Sequence, residues 1–131
     1  MQHPTVFPWR TYDDAERAIA FLESAFGAER HAYQPGADGS VEHAELRFGN
    51  GIVMLGSSKP GLPATRGADG PGMGIYIAVE DADAHYAHAR AAGAEIVSEL
   101  RDLGYSREYS ARDPEGNAWH FGTYQPLAPA G

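Results

Sequence analysis

Three stretches of this 131-residue chain recur at a single spacing. Phe26-Gly27-Ala28-Glu29 is matched by Ala92-Gly93-Ala94-Glu95, and Ser40-Val41-Glu42 by Ser106-Arg107-Glu108. Gly51-Ile52-Val53-Met54-Leu55-Gly56 is matched by Asn117-Ala118-Trp119-His120-Phe121-Gly122, and in all three the copies lie about 66 residues apart. A repeat of this length is one supersecondary unit used twice, so the chain must fold as two like modules. In the first copy, residues 5–12 read as a strand with Phe7, Trp9 and Thr11 on one face, Pro8 marking an edge or a start. Asp13 and Asp14 supply a helix cap, and Ala15, Ala18, Ile19, Leu22 and Phe26 recur at helical spacing until Gly27 stops the helix. Residues 29–33 and 41–48 read as strands around a turn-rich loop, and Gly49-Asn50-Gly51 turns the chain into a strand over 52–55. The second copy repeats the order. It has a strand over 74–79, a helix from Asp81 or Asp83 to Ala92, a strand over 94–99, and a hairpin whose turn is Asp113-Pro114-Glu115-Gly116. The expectation is an α+β chain of two tandem β-α-β-β-β modules, over 1–56 and 74–125, with a Gly- and Pro-rich linker over 57–73 and a tail over 126–131. The modules form a curved, cleft-bearing mixed sheet with helices on its outer face.

Alternation along the strands sorts the side chains to two faces. Val53, Leu55, Ile75, Ile77, Val79, Trp119 and Phe121 make an apolar face suited to the undersides of the helices, joined by Ala44, Leu46 and Phe48. Phe7, Trp9, Met54, Gly74, Tyr76 and His120 share the opposite face, with His43, Glu45 and Arg47. The repeat offset sends Tyr109, the partner of His43, to that face as well. Aromatic rings interspersed with a few polar groups suit a small-molecule cleft.

The chain has no cysteine, which excludes disulfides and thiolate zinc sites and leaves His, Asp and Glu as strong metal ligands. A formal charge of -8 with scattered Lys and Arg disfavours nucleic acid and anionic membrane surfaces. No apolar run approaches a bilayer span, and MQHPTVFPWR lacks the pattern of a secretory signal, so a cytoplasmic protein is expected. No G-x-S-x-G occurs, and the glycine-rich residues 70–74 lack the strand before and helix after that a dinucleotide loop requires.

The tandem order, with His43-Ala44-Glu45-Leu46-Arg47-Phe48-Gly49 in one copy and Asp113-Pro114-Glu115-Gly116-Asn117 before the last strand of the other, resembles the vicinal oxygen chelate superfamily, in particular its glyoxalase and bleomycin-resistance-like group. Metal-dependent members hold a divalent ion through side chains on the first and last strands of each module. Carried onto this sequence, the resemblance places those positions at or near Phe7, Met54, Gly74 and His120. Only His120 is a metal donor, whereas a catalytic ion takes about three protein ligands. Metal-independent members such as bleomycin-resistance proteins sequester a drug in the same cleft.

His120 is therefore read as a cleft-wall histidine that hydrogen-bonds a bound molecule, ahead of a general acid, base or metal ligand. His43 and Glu45 join His120 as candidate polar anchors for the ligand, and the same three form the alternative metal site, if any. His85 and His88, three apart on the second helix, are expected on a solvated helix face. Trp9, Tyr76 and Tyr109 are candidate stacking platforms, Met54 lies beside them, and Tyr105 after Gly104 is a candidate lid. The expected function is metal-independent binding of a drug-like small molecule, cationic or planar aromatic, by a homodimer without a cofactor. The alternative is a metal-dependent glyoxalase-like lyase, isomerase or dioxygenase, and a third possibility is a subunit that serves assembly alone.

Overall fold

The computed structural model describes residues 3–64 and 74–127. The elements run β1 (Trp9–Tyr12), α1 (Ala15–Phe26), β2 (Glu29–Pro35), β3 (Val41–Phe48), β4 (Gly51–Ser57), β5 (Ile75–Ala78), α2 (Ala82–Ala91), β6 (Glu95–Asp102), β7 (Arg107–Arg112) and β8 (Ala118–Gly122). The strands form two four-stranded mixed sheets of the same design, ordered β1-β4-β3-β2 and β5-β8-β7-β6. In each, the first strand runs parallel to the last and the other pairs are antiparallel. The tandem α+β architecture read from the repeat is thus the one observed. Part of the expected linker, residues 65–73, and the end of the expected tail, residues 128–131, lie outside the described residues.

Local chemistry sets the helix ends. Asp14 caps α1 by accepting from the backbone N–H of Arg17 at 3.1 Å, and Gly27 ends it in the left-handed region at φ 81°, where a Cβ is disfavoured. Ala18, Ile19, Leu22, Ala25 and Phe26 form the buried stripe between. Asp81, of the two candidate caps, starts α2 by accepting from Ala84. The first strand begins at Trp9 rather than at residue 5. Pro8 has no N–H for the ladder, although its carbonyl still accepts from Met54 at 2.9 Å. No helix among the described residues is long and apolar enough to cross a membrane.

The helix-side faces of both sheets share one core with α1. Phe26, at the end of α1, lies 4.8 Å from the Phe121 ring and 5.9 Å from Trp119, both in the second module. The 113–117 turn completes the junction. The buried Asp113 carboxylate accepts from the Tyr12 hydroxyl at 2.6 Å, the Trp119 indole N–H at 3.0 Å and the backbone N–H groups of Glu115 and Asn117. Burial, reinforced by the Asp113 charge, pushes the Tyr12 hydroxyl pKa far above the usual phenol value. Glu115 reaches across to accept from the backbone N–H groups of Asp13 and Asp14, at 2.9 and 2.7 Å. The Arg10 guanidinium lies 5.3 Å from the Trp119 ring centre.

Two expectations are corrected here. Tyr109 is 1% exposed, stacked on Phe121 at 5.1 Å, and so belongs to the core rather than the open face. The reason is register. Ala44 pairs with Leu55 in the first module, but Phe121, the repeat partner of Leu55, pairs with Tyr109, so β7 is shifted by one residue against the repeat. A one-residue shift turns every side chain to the other face. Its cause is the turn: Phe48 and Gly51 close a tight hairpin, whereas Arg112 and Ala118 are separated by the longer 113–117 turn. Second, His85 and His88 do not line a purely solvated face, because both reach the end of α1. The His85 Nε2–H donates to the Phe26 carbonyl at 3.0 Å while its Nδ1 accepts from the Tyr109 hydroxyl at 2.5 Å, and His88 Nε2 lies 2.8 Å from the Ser24 carbonyl.

Two measurements test this junction. Asp113→Ala strands the buried Tyr12 hydroxyl and Trp119 N–H and should cost about 3 kcal/mol in urea unfolding, whereas Tyr12→Phe, which leaves Asp113 its other donors, should cost about 1 kcal/mol. Burial holds the His85 pKa below its ordinary value, so the unfolded chain binds the proton more readily. Stability should therefore fall as pH drops below about 6.5, and His85→Gln should flatten that part of the profile.

Candidate functional site

The faces turned away from the helices carry the candidate site residues. On the first sheet, register places Trp9 beside Met54 and Met54 beside Glu45. Direct cross-strand partners share a face, so the three form one row. Trp9 is 51% exposed in this row, with Phe7 exposed one step earlier on the same chain segment. Glu45 lies 2.9 Å from His43 Nε2 and 3.9 Å from His31 Nε2. A bulge in β2 between Arg30 and Ala32 leaves His31 outside the ladder, which is why spacing alone did not assign it a partner. Glu45 is thus a carboxylate already served by imidazole. Farther along this face, Thr11 Oγ1 donates to the Pro63 carbonyl at 2.6 Å, fixing the start of the segment after β4 against β1.

On the second sheet the equivalent row is Tyr76, His120 and Ser110. His120 Nδ1 lies 2.7 Å from Ser110 Oγ, a partner the sequence reading missed because the register shift had put Tyr109 in its place. Two glycines shape the row. A Cβ on Gly74 would sit 2.9 Å from His120 Nε2, and one on Gly122 would sit 2.7 Å from the Tyr76 hydroxyl. Bare backbone at those two points gives the imidazole and the phenol their space. The Tyr76 hydroxyl donates to the Tyr124 carbonyl at 2.7 Å, and lost solvation, opposed by its hydrogen bonds, raises its pKa above the ordinary phenol value. Tyr105 stands on the β6–β7 hairpin, exposed, with its ring edge-on to Tyr124 at 6.0 Å.

A groove of about 880 Å³ runs along the free edge of β5, between Val6, Pro8 and Ile52 on one side and Ile75, Ile77 and Val79 on the other. Of the residues singled out from the sequence as site candidates, only Tyr76 lines it. The chemistry of the open faces lies outside this groove.

The donor set does not fit a resident divalent ion. Phe7, Met54 and Gly74 offer no strong ligand beside His120. His43 and Glu45 stand on β3 of the other sheet, and among the described residues no three His, Asp or Glu side chains gather as a metal site. What the faces offer is exposed rings with a few hydrogen-bonding groups held in fixed orientation.

Comparison with known proteins agrees with this geometry. The family model described as the Glyoxalase/Bleomycin resistance protein/Dioxygenase superfamily matches residues 3–121. An uncharacterized protein of Mycobacterium bovis is 34% identical, the match covering 95% of this chain and 84% of the relative. The crystal structure of TioX from Micromonospora sp. ML1 is 33% identical and superposes with a TM-score of 0.73, covering 97% of this chain and 100% of its own. TnmS3, an antibiotic binding protein from Streptomyces sp. CB03234, shares the fold at 22% identity and a TM-score of 0.69, covering 92% of this chain and 96% of its own. The tandem-module fold agrees with these likenesses, which show the family: the chain belongs to the glyoxalase/bleomycin resistance protein/dioxygenase superfamily.

Proposed function

We propose that this protein binds a flat, drug-like small molecule without a metal ion, and that it does so as a homodimer. The observation that carries the reading is Trp9: a tryptophan in a row with Met54, on a sheet face rather than at a loop tip, yet half exposed. An indole in that position gains by being covered, and a planar ring system covers it best. Support comes from the polar groups beside it. Glu45 and His43, 2.9 Å apart, give the face hydrogen-bonding capacity beside the exposed indole. The description of the structural neighbour TnmS3 as antibiotic binding is consistent with such a ligand.

The dimer reading rests on the groove beside β5. Among the described residues the outer edge of this strand has no partner strand, and Val6, 83% exposed, borders the groove. A second copy laid along that edge would cover both. The rival metal-dependent lyase, isomerase or dioxygenase needs about three protein donors around one ion, and the described residues do not gather them.

Fluorescence separates these readings, because Trp119 is fully buried and Trp9 is not. Titration with planar aromatic compounds should quench Trp9 saturably, and Trp9→Ala should weaken binding about threefold to tenfold with little change in melting temperature. Saturable stabilisation by a divalent ion, with no response to any organic compound, would reverse the assignment. Sedimentation should show a species of two chains, and Val6→Asp should weaken association at least about tenfold without unfolding the chain.

A further inference from the structure

We infer that Ser110 fixes His120 in the tautomer whose hydrogen is on Nε2, so that this face presents a hydrogen-bond donor and selects ligands carrying an acceptor oxygen at the edge of the ring system. The inference rests on the proposed binding function and assigns the contact that the second sheet offers a ligand.

The argument begins with Ser110. It is 8% exposed on β7, and the one hydrogen-bond partner of its hydroxyl among the described residues is His120 Nδ1, at 2.7 Å. A buried hydroxyl gives its proton to an acceptor within reach, because leaving it unsatisfied forfeits the hydrogen bond it made with water. Nδ1 is that acceptor, so it carries the lone pair and Nε2 carries the hydrogen. Were Nδ1 to hold the hydrogen instead, the Ser110 proton would have no partner among the described residues.

The orientation of that donor follows from Gly74. Nε2 lies 2.9 Å, and Cδ2 3.0 Å, from the point a Cβ at residue 74 would occupy, so the nitrogen edge of the ring rests over bare backbone ahead of β5. Among the described residues Nε2 has no hydrogen-bond partner. Beside it in register is Tyr76, whose hydroxyl is already used on the Tyr124 carbonyl, which leaves its ring for contact. Ring contact and a single N–H without a partner among the described residues together fit a planar molecule with a carbonyl-type oxygen. They do not fit an ammonium group, which would meet a donor where it needs an acceptor. The same geometry makes Ser110 a positioning residue, since it acts on the ligand only through His120.

The test uses the full chain and two probes, 2-acetylnaphthalene and 2-ethylnaphthalene, which share a ring system and differ by a carbonyl acceptor. In nitrogen-15 spectra of the neutral imidazole, His120 should show a hydrogen on Nε2 and none on Nδ1. The reverse pattern overturns the inference whatever the probes do. The ketone should bind roughly threefold to tenfold more tightly than the hydrocarbon, as one net hydrogen bond allows. Ser110→Ala should erase that preference and mix the tautomers, and Ser110→Thr, which keeps the hydroxyl on a β-branched strand residue, should restore both. Equal binding of the two probes overturns the acceptor selection but leaves the binding function standing. Binding of neither probe removes both.

Discussion

A buried carboxylate on the last turn of the second module holds the molecule together. Asp113 gathers the Tyr12 hydroxyl from the first module and the Trp119 indole from its own, along with the backbone of the turn in which it sits. Such a group is stabilising only with every lone pair occupied, since a buried carboxylate with partners missing is expensive. The D-P-E-G-N segment therefore has two tasks. It reverses the chain between β7 and β8, and it positions β1 against the second module.

The same segment explains where the sequence was readable and where it was not. Helix α1 could be bounded to the residue because its signals are local: Asp14 caps one end, Gly27 takes a positive φ at the other, and the apolar stripe lies between. Strand β3 was equally clear, since its hairpin turn follows directly. The face taken by β7 was not, because it depends on how residues 113–117 are threaded, and that conformation is fixed by Tyr12 about a hundred positions earlier in the chain. Repeat spacing cannot record a contact between copies. His31 escaped notice for a related reason: a bulge, invisible in the residue pattern, turns it toward Glu45. His85 and His88 read as surface residues until α1 was seen to end beneath them.

The two open faces have diverged although the strand order is the same in both sheets. Trp9, Met54 and Glu45 occupy the row that Tyr76, His120 and Ser110 occupy in the other sheet. One row is dominated by an exposed indole, the other by an imidazole held between a hydroxyl and a glycine. The strands supply the same positions twice, and the choice of side chain decides whether a position donates a hydrogen bond, stacks or coordinates. Glycine at residue 74 is an example, since the place a third ligand could have taken in a metal site is used here to make room for a ring.

Both ends of α1 are completed by the other module. The backbone N–H groups of Asp13 and Asp14, just ahead of its first turn, meet the Glu115 carboxylate, and its trailing carbonyls meet His85 and His88. This arrangement also suits the polarity of the helix, with the acid at the positive end and the imidazoles at the negative end. The duplication has thereby lost its modularity: neither half is a transferable building block, because each carries the terminal partners of a helix or the helix itself. If two chains were to exchange halves, the incoming module would have to bring the same turn and the same pair of histidines to α1, so an exchanged assembly would reproduce this junction contact for contact.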